Sequence, residues 1–231
     1  MAGPRVSTMT EDYLTIIWKT QEWPRDPVST TEIASILSVT PSSVSANLKK
    51  LAREGLIDYE PYGLIDLTPA GREIALTVVR RHRILETYLV ECLGLSWDEV
   101  HGEADTLEHA VSDLVLNRMD DLLGNPAFDP HGDPIPRADG TVERVDATRL
   151  TEVEPDSSAR VVRISDREPA ILRYLEARAI SIGTRLRVES RDIEAGSLSV
   201  MRARTADGCE EPVEVAIGAA CAVWVSVDQN R

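Results

Sequence analysis

Aromatic residues make up only 4% of this 231-residue chain, with a single Phe, so any core it builds must be aliphatic and rich in Ala. Cysteine is scarce. Cys92, Cys209 and Cys221 form no CxxC pair, which argues against a disulfide framework and against a thiolate zinc site. Lysine occurs only at 19, 49 and 50 against 22 arginines, a bias that reads as codon composition rather than function. No apolar run approaches the ~18 residues needed to cross a bilayer. The opening MAGPRVSTMTED has no apolar stretch of the kind a secretory signal needs. At 42% hydrophobic and 28% charged residues, the balance is that of a globular chain, not a disordered, collagen-like or coiled-coil one. The expectation is a cytoplasmic protein without a membrane partner, built as one or two domains or as three small ones.

The net charge of −14 argues at first against nucleic acid, but it is unevenly spread. Residues 1–90 hold ten basic and eleven acidic side chains, while residues 91–231 hold fifteen and twenty-eight. An acidic body does not forbid DNA binding if one face is locally basic.

The apolar period predicts a first helix over residues 12–22 from Leu14, Ile17 and Trp18, with Thr10 as its cap. A short helix over 31–37 buries Ile33, Ala34 and Leu37. After the turn SVT, a second helix over 41–54 has Thr40 as cap, Pro41 at its first position and Gly55 as its stop. LIDYEPYGLIDL reads as a β-hairpin. A long helix starts at Thr68-Pro69 and ends near Leu93, and two more are expected over 96–110 and 112–123. GNPAFDPHGDPIPRADG, residues 124–140, loses all periodicity and reads as a loop or linker. Beyond it, five short β-rich runs and one helix over 169–177 suggest a tail of the size of a barrel module.

Helix, tight turn, helix and hairpin within residues 30–68 form a winged helix-turn-helix pattern. Behind the apolar stripe Val44, Leu48, Leu51, the second helix presents Ser42, Ser43, Ser45, Ala46, Asn47, Lys49, Lys50 and Arg53, with Thr40 at its start. Hydroxyls and free amides at a helix N-terminus suit phosphate oxygens. The three cations add the electrostatic attraction, and a methyl at Ala46 suits thymine methyls. A solvated helix with two lysines is the plain alternative. Cap, turn, stripe and wing together favour double-stranded DNA.

All four histidines lie between 82 and 131. His82 and Glu86 are one turn apart on the long helix, and His101, Asp105, Glu108 and His109 share one face of the next. Singly, each has a bland explanation: His82 as part of a basic helix surface, Glu86 as a partner of Arg81 or Arg83, Asp12 as a residue suited to a helix start. His131 reads as a loop residue and stays outside the set. Jointly, they offer six nitrogen and oxygen ligands without a thiolate, a set suited to divalent first-row metals.

EDYLTIIW, TPSSVSANLKKLAREGLI, LTPAGREIA, RRHRILETYL, VHGEADTLEHAVSD and PHGDPIP together resemble the diphtheria-toxin-repressor family over nearly the whole chain. The resemblance implies a mainly α fold with β. Its parts are an N-terminal winged helix-turn-helix over 1–70, a helical dimerisation and metal-binding domain with a Pro/Gly-rich linker over 71–140, and an SH3-like small β-barrel over 141–231. It implies a metal site of Asp12, Asp105, Glu108 and His109, and a second of His82, Glu86 and His101 with Glu168 from the tail. Iron-responsive members carry Met and Cys where this chain has Asp12 and Asp105. That difference implies Mn²⁺ as the ion, with Fe²⁺ or Co²⁺ as alternatives. The Glu that short manganese regulators place one turn after the first Asp is Thr15 here, and the tail's usual Gln ligand is Ile171.

The expected function is a homodimeric, metal-dependent repressor of metal-uptake genes, with no catalytic residues and no small organic substrate. An iron-responsive repressor is the alternative within the family. A metal-dependent hydrolase is the alternative outside it, but no acid/base or oxyanion motif accompanies the metal residues. A regulator sensing an organic ligand would keep DNA binding and make the metal structural.

Overall fold

Three hydroxyl caps start the first three helices. In a computed structural model, which describes residues 6–23, 28–60, 64–192, 194–203 and 209–228, Ser7, Ser29 and Thr40 accept the amides of Thr10, Glu32 and Ser43. They begin α1 (Thr8–Gln21), α2 (Thr30–Ile36) and α3 (Pro41–Arg53). The cap of α1 is therefore Ser7 and not Thr10, whose hydroxyl bonds to that of Ser7. Asp12 consequently sits in the second turn rather than at the helix start. Gly55, in the left-handed region at φ +72°, ends α3 and turns the chain into β1 (Ile57–Tyr59). β1 pairs antiparallel with β2 (Ile65–Leu67), with Ile57 opposite Leu67. The hairpin tip, residues 61–63, lies outside the described residues. Then follow α4 (Pro69–Leu93), α5 (Val100–Leu107) and α6 (Asp113–Leu122). The helix expected from residue 96 starts later because the carbonyl of Ser96 closes a turn on the amides of Glu99 and Val100.

The chain packs as two compact units. The first comprises residues 1–82, 107–112 and 136–142. Its core joins Tyr13, Leu14, Ile17 and Trp18 of α1 to Ile33, the Val44–Leu48–Leu51 stripe, Ile57, Ile65, Ala75 and Val79. The apolar stripes legible at helical spacing are thus the ones buried here.

The second unit comprises residues 83–106, 113–135 and 143–231. It holds β3 (Thr148–Arg149), β4 (Ser158–Ile164), α7 (Pro169–Glu176), β5 (Arg185–Asp192), β6 (Ser197–Ala203), β7 (Glu210–Ala216), α8 (Ile217–Ala220) and β8 (Val223–Val227). The strands form one antiparallel sheet in the order β3-β8-β4-β5-β6-β7. Register shifts after Val161 and Val188 bend it. Val161, Ile164, Val188, Val200 and Val223 fill its core with Leu172 and Leu175 of α7. The Pro/Gly-rich stretch is not a solvated linker throughout: residues 131–136 are all buried. Asp129 Oδ1 accepts the amides of His131 and Asp133 at 2.9 Å each and so folds the stretch on itself.

Candidate metal centres and nucleic-acid interface

In the first unit, Glu108 and His109, at and just after the end of α5, meet α1. His109 Nε2 lies 3.0 Å from Asp12 Oδ1 and 3.2 Å from Glu108 Oε1, while its Nδ1 lies 2.7 Å from Glu11 Oε2. Asp12, Glu108 and His109 each bring a ligand atom within 4.8 Å of the others. Glu108 also reaches His82 Nδ1 with its other oxygen, at 2.8 Å. His82 is thereby tied to this cluster through Glu108. The exposure is graded: Glu108 is buried, His109 is 20% exposed and Asp12 34%. Burial raises the Asp12 carboxyl above the ordinary aspartate value; His109 opposes the rise, and the negative charges of Glu108 and Glu11 add to it. Three carboxylates around one imidazole repel one another, and a divalent cation is the natural counter-charge.

In the second unit, Glu86 plays the same bridging role. Its Oε1 is 3.1 Å from His101 Nδ1, and its Oε2 is 3.9 Å from His131 Nδ1. His101 Nδ1 is also 3.1 Å from Asp166 Oδ2, and His101 Nε2 is 3.6 Å from Asp105 Oδ2. Glu86, Asp129 and His131 offer ligand atoms within 4.8 Å of one another, and all three are buried. His131 Nε2 donates to the Trp97 carbonyl at 2.7 Å, while its buried Nδ1 has no hydrogen-bond partner. Trp97 stacks on the ring with centroids 6.0 Å apart. Nδ1 faces Glu86 Oε2 at 3.9 Å, where a metal ion between them would find a nitrogen and an oxygen donor. Burial pushes the Asp129 carboxyl well above its ordinary value, and Asp133 and Glu86 add to the effect. Hard oxygen donors with imidazoles beside them fit a divalent first-row ion in both clusters.

Asp105 faces His101 and is half exposed. Glu168 is exposed at the start of α7, and Asp166, two residues earlier, is the tail carboxylate that reaches His101. Ile171 packs against the tail core.

On α3, Ser42, Ser43, Ala46, Lys49, Lys50 and Arg53 are exposed, and Ser45 is half-buried. Thr40 spends its hydroxyl on the cap, bonding to the Ser42 and Ser43 hydroxyls at 2.9 Å. Asn47 turns inward: its amide donates to the Ser43 carbonyl at 3.1 Å and to the Tyr13 hydroxyl at 3.4 Å. The exposed cations and serines form one face of a capped helix, as backbone-phosphate contacts require.

Residues 5–64 match the N-terminal DNA-binding domain of iron-dependent repressors, residues 68–137 their metal-binding and dimerisation domain, and residues 148–226 the FeoA domain. The diphtheria toxin repressor of Corynebacterium glutamicum is 32% identical over 186 residues, 80% of this chain and 76% of that protein. The iron-dependent repressor IdeR of Mycobacterium leprae is 35% identical over 160 residues, 66% of this chain and 69% of that one. The chain belongs to the diphtheria-toxin-repressor family. It is accordingly a metal-dependent transcriptional repressor with a winged-helix segment, a helical segment and an SH3-like tail. A solved manganese-dependent transcriptional repressor in complex with manganese is 47% identical, with a TM-score of 0.87 over 94% of this chain and 98% of that chain. Within this repressor, Glu11, Asp129, His131 and Asp166 join the clusters without a signal at helical spacing. Glu11 adjoins Asp12, and Asp166 precedes Glu168 by two residues. Asp129 and His131 lie in a stretch without periodicity, where only the density of acids around a His, DPHGDP, signals a site.

Proposed function

We propose that this repressor is activated by Mn²⁺ and acts as a cytoplasmic homodimer on double-stranded operator DNA, without catalytic activity. The DNA-binding segment is residues 1–70, the dimerisation and metal-binding segment 71–140, and the tail 141–231. One observation carries the reading: Asp12, on the helix whose Tyr13 and Leu14 share a core with the recognition helix, meets Glu108 and His109. A divalent ion supplies there the positive charge that three facing carboxylates need. Asp12 and Glu11 then hold α1 against the end of α5, and α1 in turn fixes where α3 stands. Affinity for DNA rises to the extent that this arrangement is favoured over others.

Asp12 and Glu108 are hard oxygen donors with one imidazole beside them, a set that favours Mn²⁺ relative to sites containing sulfur. The similarity to a manganese-dependent repressor supports the same ion. Asp105 stands at the position that separates manganese from iron responses in the family, and its carboxylate keeps the neighbourhood free of thiolate. Glu86, Asp129 and His131, with His101 and Asp166, form a second centre. Lys49, Lys50, Arg53, Ser42 and Ser43 contact phosphates, Ala46 and Ser45 face the bases, and Thr40 and Asn47 keep the helix in place. Leu114, Val115 and Leu122, exposed on α6, supply apolar surface for a second copy.

Operator binding measured against buffered free metal, anaerobically for Fe²⁺, tests the assignment. Mn²⁺ is expected to activate at least as strongly as Fe²⁺, with Zn²⁺ binding but activating poorly. Activation by Fe²⁺ with silence to Mn²⁺ overturns it.

A further inference from the structure

The loop that carries Asp129 and His131 is moulded on one strand of the tail. The amide of Ile164, at the end of β4, donates to the His131 carbonyl at 2.9 Å. Gly132, in the left-handed region at φ +86°, passes β4 so closely that a Cβ would stand 2.0 Å from the Val162 carbonyl oxygen. Between these two backbone contacts, Arg163 Nε donates to Asp133 Oδ1 at 2.6 Å, and both side chains are buried. The guanidinium lies 4.3 Å from the centre of the Trp224 ring on β8. From α4, Arg83 stands 3.7 Å from Asp133 and 3.6 Å from Asp129 Oδ2. Asp129 in turn binds the loop's own amides with Oδ1.

Taking two opposite charges out of water costs about what their attraction returns. Apolar side chains would therefore hold β4 and the loop together equally well. What a buried Arg–Asp pair adds is direction, since only one placement of the loop satisfies it. Ligand atoms need such placement, because a centre that is slightly too loose binds its ion poorly. Arg163 and Gly132 bring no ligand atom to the cluster of Glu86, Asp129 and His131.

We infer that Arg163 and Gly132 are positioning residues for the Glu86–Asp129–His131 centre, so that the tail strand β4 is the template on which this centre forms. The inference rests on the reading of that cluster as a metal centre. By reciprocity, occupancy of the centre holds the tail strand in place as strongly as the strand builds the centre.

The test uses the full chain and Mn²⁺ alone, counted by electron paramagnetic resonance of the free ion, with the thermal midpoint of the metal-free protein recorded in parallel. Arg163→Met is expected to keep one equivalent at wild-type affinity and to weaken the other roughly 10–100-fold, the usual effect of removing a group that orients a ligand. Arg163→Lys should regain part of the loss, and Gly132→Ala should weaken the same equivalent. Two equivalents at wild-type affinity in Arg163→Met overturn the inference. So does equal weakening of both together with a lowered metal-free midpoint, which marks a merely structural role. If Arg163→Met does not fold, Asp133→Asn is judged by the same outcomes. Glu86→Gln separates the two claims. If it leaves two wild-type equivalents, the metal reading of the cluster has failed, whatever Arg163 does.

Discussion

The two carboxylate–histidine clusters are built alike and exposed differently. In each, one buried glutamate bridges two histidines: Glu108 between His82 and His109, Glu86 between His101 and His131. The Asp12 cluster keeps a 34%-exposed carboxylate and a 20%-exposed imidazole. Glu86 and His131 are 1% and 0% exposed, and Asp129 beside them is buried too, whereas His101 on the other side of Glu86 is 33% exposed. An exposed ligand lets an ion exchange with solvent, and Asp12 belongs to a helix that shares its core with α3. A sealed centre exchanges slowly and lends its binding energy to the fold around it. On the proposed reading, sensing belongs to the Asp12 cluster and stabilisation to the buried Glu86–Asp129–His131 group.

The largest expected effect breaks the first cluster at its bridge. Glu108→Ala should lower Mn²⁺-dependent operator affinity on the order of 100-fold, near the upper end of ordinary coupling between sites, because it removes a carboxylate that faces both His82 and His109. Fluorescence anisotropy with labelled operator reads the loss. An affinity within threefold of wild type would shift sensing elsewhere.

Breaking the second cluster should act on stability more than on DNA. An ion present at 100 times its Kd stabilises the folded state by about 2.7 kcal/mol per site. Glu86→Gln should forfeit roughly that amount of metal-induced stabilisation in scanning calorimetry, while operator affinity at saturating Mn²⁺ falls less than in Glu108→Ala. The reverse ranking would exchange the two roles.

Acid should narrow the gap between metal-loaded and metal-free protein. The Asp12 and Asp129 carboxyls are raised in the folded metal-free state, chiefly by burial. That state therefore binds protons more tightly than the unfolded chain, and its stability falls as pH rises through the raised values. Metal binding needs the carboxylates and moves the opposite way. The gap in thermal midpoint should widen from about pH 5 to about pH 7.5. A constant gap contradicts these assignments.

The smallest effect sharpens the DNA face. Lys50 pairs with Glu54 at 3.8 Å in solvent, a contact of little energetic weight, so its charge remains for phosphate. Lys50→Ala should weaken binding to all sequences severalfold and reduce the salt slope by about 0.9. An unchanged slope would mean that α3 lies differently on DNA.

Much of this organisation is legible in the sequence because helices repeat. The Val44–Leu48–Leu51 stripe, the Thr40 cap and the His82/Glu86 spacing follow from a period of 3.6. Loops carry no such signal. His131 looks like any residue between Pro and Gly until β4 is seen to close over it. Asp166 and Glu168 lie two apart at the entrance to α7, and composition does not choose between them. Glu168 becomes the helix's first flanking residue and turns to solvent, which leaves Asp166 facing His101. Asn47 sits at an outward-looking position on α3, but the Tyr13 hydroxyl draws its amide inward. Spacing finds candidate ligands that share a helix; where separate segments meet, packing decides which acid faces the cluster.

Asp12 is the proposed link between metal and DNA. Operator affinity measured for wild type and Asp12→Ala, each in saturating Mn²⁺ and in excess chelator, tests it most directly. The wild-type ratio between the two conditions should be on the order of 100, and the variant, still folded and dimeric, should show a ratio near one. A variant that keeps the wild-type ratio contradicts the account.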